Sequence, residues 1–114
     1  MTLSELKILL QMSLTDESLD KYLTMKLTAG IEFVQRVCSD DFMKNGEVLI
    51  PALVKDVVAD YVAFELLGKG IQSESIAGMS QSFQSATERD VTLTNKLREA
   101  GYVQIKFFAL GRKR

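Results

Sequence analysis

Apolar and polar positions alternate along this chain with two different periods, and the changes of period mark its elements. Leu3, Leu6, Ile8, Leu9 and Leu10 supply an apolar face that stops near Ser13, and Thr2 followed by Glu5 has the spacing of a capping box. A short first helix is expected there. Leu19, Tyr22, Leu23, Leu27, Ile31, Val34 and Cys38 recur in steps of three and four, which predicts a long second helix capped by Thr15 or Asp16. Gly30 sits inside it at a cost of about 1 kcal/mol relative to alanine, marking either a close helix crossing or a bend.

"SDDFMKNGEVLIP" reads as a connection, because Asn45-Gly46 is a turn dipeptide and Pro51 steers Ile50 to extended geometry. Pro51 is expected as the first residue of a third helix, "PALVKDVVADYVAFELLG", which is apolar nearly all round and ends at Gly68. This helix should be the centre of the fold. It carries more apolar surface than two short neighbours can cover, so part of it is expected to be buried against other subunits.

The helical period is lost after Gly70. The stretch "GIQSESIAGMSQSFQ" is laced with serine and glycine and reads as a loop or an irregular strand pair projecting from the helices. Periodicity returns in "ATERDVTLTNKLREAG", where Val91, Leu93, Leu97 and Ala100 line a short fourth helix that stops at Gly101. In "YVQIKFFALGRKR", Val103, Ile105, Phe107 and Ala109 alternate with Gln104 and Lys106, the period of a strand. The expected fold is mainly α: a small bundle of three to four helices with a short β hairpin or strand appendage in the C-terminal third. One domain covers residues 1–114, divided into a helical body (1–68), a projecting loop or strand (69–86), a short helix (87–101) and a C-terminal strand with a basic tail (102–114).

Composition narrows the classes. With 114 residues, 46% hydrophobic and 25% charged, the chain has the make-up of a globular domain large enough for one core. No apolar run approaches the roughly 18 residues that cross a bilayer, and the N-terminus lacks the pattern of a signal peptide, so no membrane partner is expected. The net charge of -1 gives the molecule as a whole no attraction for phosphate backbones. Cys38 is the single cysteine, which allows no internal disulfide and no cysteine-rich metal site.

Histidine is absent from the sequence, which removes the common general base and the Ser-His and Cys-His pairs. "GKGIQS" lacks the spacing of a phosphate-binding loop. Asp40 and Asp41, with Ser73, Glu74 and Ser75, are the residual catalytic candidates. Adjacent aspartates after a long helix more often build a solvated turn, and Cys38 at helical spacing is expected in the core. No enzyme activity, metal or cofactor is expected. Met79 packs either on a partner or on its own domain. The C-terminal "FFALGRKR" is either a frayed end or a docking arm, with Phe107, Phe108 and Leu110 as apolar anchors and Arg112, Lys113 and Arg114 as an electrostatic clamp.

These features together resemble the head-tail connector, or adaptor, proteins of tailed bacteriophages and prophages. The specific part is Gly70-Ile71-Gln72-Ser73-Glu74-Ser75-Ile76 followed by Gly78, Ser80 and Phe83, similar to a stretch of adaptors from phages of Gram-positive hosts, with Ala77 as a departure before Gly78. The helices match by pattern only. The resemblance implies a structural virion protein without catalysis that forms a ring, typically dodecameric, beneath the portal. Such a ring extends the DNA channel, with DNA only as cargo, and presents a surface to the next head-completion or stopper protein. It implies location in the virion and, during assembly, in the host cytoplasm.

On that reading, portal, stopper or a neighbouring subunit would be met by Ile71, Ser73, Glu74, Ser75, Ile76, Met79, Phe83, Ile105, Phe107, Phe108, Leu110, Arg112, Lys113 and Arg114. Lateral ring contacts would come from Val54, Val58, Tyr61 and Phe64. The rival reading is a small helical DNA-binding or regulatory protein using the second and third helices as a helix-turn-helix. Its weakness is the connection from Ser39 to Pro51, which far exceeds the turn of about 3–4 residues that motif uses.

Overall fold

The structure, a computed structural model, is described for residues 1–70 and 85–103. Among these residues the order is α1 (Leu3–Leu9), α2 (Asp20–Cys38), β1 (Met43–Lys44), β2 (Glu47–Val48), α3 (Ala52–Gly68) and α4 (Ala86–Glu99). The mainly helical class is as expected, but the described hairpin lies between α2 and α3. The strand expected in the C-terminal third lies outside the described residues.

Helix α1 starts on the capping box. Thr2 Oγ1 accepts from the Glu5 amide at 3.1 Å, and Glu5 Oε1 accepts from the Thr2 amide at 2.8 Å. The helix closes on Gln11, whose φ of 58° lets the Met12 amide reach back to the Lys7 carbonyl at 2.9 Å.

Helix α2 begins at Asp20, later than the cap expected at Thr15 or Asp16. The reason is local: Asp16 Oδ1 accepts from both the amide and the hydroxyl of Ser18, at 3.0 and 2.7 Å, closing a turn in place of a helix cap. The first turn of α2 is held instead by tertiary charge, Lys7 Nζ lying 2.6 Å from Asp20 Oδ1 and donating to the Asp16 carbonyl at 2.8 Å.

The hairpin turns through Asn45 and Gly46, both at positive φ (54° and 82°), the type I′ geometry that matches strand twist. Its register pairs Met43 with Val48 and Lys44 with Glu47. Pro51 stands at the N-cap of α3, one residue before the helix in which it was expected.

Helix α3 is central, packing against α1, α2 and α4. Val54, Val57, Val58, Ala59, Val62, Ala63 and Leu66 are all buried, joined in one core by Leu6, Leu10, Leu23, Phe33, Val34, Leu93 and Leu97. Three neighbouring helices cover this buried stripe, while Leu53, Tyr61, Phe64 and Leu67 of α3 are only partly buried. Val54 and Val58, expected as lateral contacts, are at 0% exposure inside this core and offer no surface to a neighbour; Tyr61 and Phe64 are half-buried.

Gly30 resolves as a crossing. A Cβ built there would stand 3.1 Å from Val58 Cγ1 and 3.4 Å from Tyr61 Cδ1, so α2 meets α3 where one side chain is missing. Helix α4 is capped by Ser85 Oγ, which accepts from the Glu88 amide at 3.1 Å. Its inward face is Arg89, Leu93 and Leu97, whereas Val91 and Ala100, expected inside, are exposed.

Candidate functional site

The two ends of α3 are chemically different. A helix of this length separates them by about 25 Å. At its C-terminal end, α2, α3 and α4 meet on one carboxylate. Glu65 Oε1 accepts from Lys26 Nζ of α2 at 2.8 Å, and Glu65 Oε2 from Arg89 Nη1 of α4 at 2.9 Å. Arg89 is 4% exposed and also bonds Asp90 Oδ1 at 2.9 Å through both Nε and Nη2. Its guanidinium carbon lies 3.9 Å from the centroid of the Tyr61 ring and 5.0 Å from that of Phe64, a stacked cation over aromatic faces. Tyr22 donates its hydroxyl to the Glu65 carbonyl at 3.3 Å, and the Lys69 ammonium sits 4.3 Å from the Tyr22 ring centroid.

Burial pushes the Glu65 carboxyl up, but hydrogen bonds and charge from Lys26 and Arg89 outweigh it and hold the group below the ordinary carboxylate range. Lys26 moves in the opposite direction, raised by its hydrogen bond to Glu65. Both carboxylate oxygens are engaged by cations and the pKa is lowered, not raised, the opposite of the tuning a general base needs. The cluster is a rivet. It joins the last turns of α3, just before Gly70, to the first turn of α4, just after Ser85.

The N-terminal end of α3 carries exposed apolar groups. A shallow groove between α1 and α3 is lined by Ile8, Leu9 and Ala52, with Glu5, Lys55 and Asp56 on its rim. Ile8 is 60% exposed although it was expected on the inward face of α1. Glu5 Oε2 and Lys55 Nζ pair at 2.5 Å across this rim. That hydrogen bond, with the one from the Thr2 amide, holds the Glu5 carboxyl down at about 2. A second groove is lined by Asp40, Phe42, Met43, Lys44, Leu49, Pro51 and Tyr102.

Of the catalytic candidates, Asp40 and Asp41 are turn residues, and Ser73, Glu74 and Ser75 lie outside the described residues. Asp40 Oδ1 accepts from the Phe42 amide at 2.7 Å and Asp41 Oδ1 from the Met43 amide at 3.0 Å, which supports the positive φ of Phe42. Cys38 is fully buried, and desolvation raises its thiol pKa. Among the described residues no group of acidic, cysteine or histidine side chains is placed to hold a metal ion. No described helix is long and apolar enough to cross a membrane.

Of the docking residues expected from sequence, Ile71, Ser73, Glu74, Ser75, Ile76, Met79 and Phe83, and Ile105, Phe107, Phe108, Leu110, Arg112, Lys113 and Arg114, lie outside the described residues. The described Tyr61 and Phe64 come together under Arg89. Arg89 itself was missed. Its signal was the step of four from Arg89 to Leu93 to Leu97, which puts a cation on the buried face and requires an acidic partner.

The described body thus carries an ion-pair cluster that ties three helices together at one end of its central helix and exposed apolar groups beside the other. The chain belongs to the phage gp6-like head-tail connector protein family, whose model matches residues 1–98. It is similar to the head completion protein gp15 of Bacillus phage SPP1, with 33% identity over 87 residues that cover 75% of this chain and 83% of that protein. No solved structure matches the chain. Its family therefore gives it a structural role in a bacteriophage, at the head-tail connection.

Proposed function

We propose that this chain assembles as a ring, dodecameric in the virion, beneath the portal, where it extends the DNA channel and joins the head to the stopper during head completion. The observation that carries this reading is the family match over most of the chain, residues 1–98. Similarity to a head completion protein agrees with it. So does the chemistry, since a near-neutral subunit lets DNA slide where a strongly basic lumen would hold it. Assembly takes place in the host cytoplasm and the ring remains in the virion.

In this assignment the helical body forms the ring, with Tyr61 and Phe64 as the lateral candidates left by the burial of Val54 and Val58. Segments 71–84 and 104–114 carry the docking residues toward portal, stopper or a neighbouring subunit, for which strand addition to a sheet edge is the natural mode. The hairpin that occupies the connection between α2 and α3 is not the tight turn of the rival helix-turn-helix.

Native mass spectrometry of the chain alone and mixed with its portal tests the reading. A discrete ring on the portal is the expected product. Deleting residues 104–114 should leave the helical circular dichroism intact and abolish portal binding, and a truncated chain that docks at full affinity would overturn the assignment of that segment.

A further inference from the structure

The β1–β2 hairpin buries none of its own side chains. Met43, Lys44, Glu47 and Val48 are all exposed, and Leu49 beside them is 52% exposed. Among the described residues the two strands pair only with each other, so each has an open outer edge. The Leu49 amide donates to the Phe42 carbonyl at 2.7 Å, one step before the Met43–Val48 pair, so in that pair the N–H and C=O groups point outward. The β2 edge thus offers the amide and the carbonyl of Val48. The β1 edge offers the Met43 carbonyl, while the Met43 amide donates to the exposed Asp41 carboxylate at 3.0 Å.

Side-chain chemistry separates the ways in which two such hairpins can meet. Lys44 stands on β1 and Glu47 on β2, on the face opposite Met43 and Val48. A two-fold contact of β2 with β2 would centre on Val48 and set each Glu47 against Leu49. One of β1 with β1 would centre on Met43 and set each Lys44 against Phe42. Placing β2 of one copy against β1 of the next gives Val48 opposite Met43 and Glu47 opposite Lys44, apolar with apolar and anion with cation. This unlike pairing is the matched one, and an unlike contact is the kind that repeats around a ring.

We propose that the hairpin is a contact between copies of this chain, β2 of one copy adding antiparallel to β1 of the next. The Val48 amide donates to the neighbouring Met43 carbonyl, and the Val48 carbonyl displaces Asp41 from the neighbouring Met43 amide. Each copy gives one edge and receives one. The hairpins then run on as a single sheet, with Met43 and Val48 alternating on one face and Lys44 and Glu47 on the other. The inference rests on the ring reading and deepens it by naming a lateral contact outside the helices.

Cross-linking of full-length chains in a Cys38→Ala background tests it. One chain carries Met43→Cys and the other Val48→Cys, each checked by circular dichroism. Residues paired in this way have Cα atoms about 5.5 Å apart, within disulfide reach. Mild oxidation, with and without portal, should join the mixed chains several-fold faster than either chain alone. Lys44→Glu on the Met43→Cys chain should slow the reaction several-fold, and Glu47→Lys on the Val48→Cys chain should then restore it. Absence of the mixed cross-link in both conditions overturns the proposal, as does faster joining of Val48→Cys to itself, which would assign a two-fold contact. Native mass spectrometry of the wild-type chain separates the two readings. A ring on the portal without the cross-link removes the hairpin contact alone, and a cross-link without a ring on the portal removes the ring assignment alone.

Discussion

Gly30 of α2 faces Val58 of α3 where the two helices cross: a Cβ at position 30 would lie 3.1 Å from Val58 Cγ1 and 3.5 Å from the Val58 carbonyl oxygen. Val58 is β-branched and fully buried, so it has no other rotamer to retreat into. Gly30→Ala therefore gains about 1 kcal/mol of helix propensity and loses about 1–3 kcal/mol to overpacking. The net expectation is a loss on the order of 1 kcal/mol, read as a lower urea midpoint. In a Val58→Ala background the same substitution should be less damaging, since the methyl it meets is gone. An unchanged or raised midpoint for Gly30→Ala in the wild-type background would mean that the crossing is loose.

The Glu65 carboxylate ties α2 and α4 to α3, and its removal leaves a cation in place. Glu65→Gln keeps the shape but leaves the buried Arg89 guanidinium with only Asp90 as counter-charge, and should cost about 2 kcal/mol. Glu65→Gln combined with Arg89→Met should recover part of that loss, because the stranded charge is removed with its partner. Arg89→Lys should not behave as a conservative change: a lysine cannot bond Glu65 and Asp90 in one fork while lying flat on Tyr61. Thermal unfolding of the three variants checks the order.

Legibility in the sequence followed the distance over which each determinant acts. The capping box of α1, the turn at Asn45-Gly46 and the stop at Gly101 are each written within a few residues, and all three stand in the structure. The start of α2 was misplaced because Asp16 has two local options, cap or turn, and only Lys7, distant in sequence, holds the later start at Asp20. The burial of Val54 and Val58 was misread for a related reason. Apolarity all round a helix states that every side must be covered, and only the packing shows which sides α1, α2 and α4 cover, those of Val54 and Val58 among them. Arg89 escaped because its partners come from two other elements, although its register with Leu93 and Leu97 was visible.

Two carboxylates give opposite dependences on pH. Glu5 is held down at about 2 by Lys55 and the Thr2 amide, from an ordinary 4.5, so the stability it contributes is present above 4.5 and is lost as the pH falls towards 2. Its partial exposure and salt screening keep the effect small. Glu5→Gln should flatten the fall of the urea midpoint across that window. Asp60 is raised by burial, with Lys96 at 3.5 Å only partly compensating. Its ionised form is thus disfavoured by folding, and the fold is relieved as Asp60 takes up a proton. Asp60→Asn is therefore expected to be neutral to stabilising at neutral pH, by up to about 1 kcal/mol or a few degrees in Tm. A large destabilisation would show that the Lys96 contact outweighs the burial cost.

Cys38 closes the last turn of α2 at 0% exposure, next to a helix end whose Ser39 stands in the left-handed region at φ 53°. Burial and the nearby Asp40 carboxylate both raise the thiol, so the thiolate that reacts with disulfide reagents is scarce as well as shielded. Labelling by a chromogenic disulfide in native buffer should therefore proceed only through opening of the core, and should accelerate in step with loss of helical signal in urea. Cys38→Ser is expected to destabilise by about 1–3 kcal/mol, since a hydroxyl placed there must find a partner or go without. Cys38→Ala should cost less, losing only the packing of one sulfur. Fast labelling of the fully folded chain would place Cys38 in a breathing end of α2, not in the core.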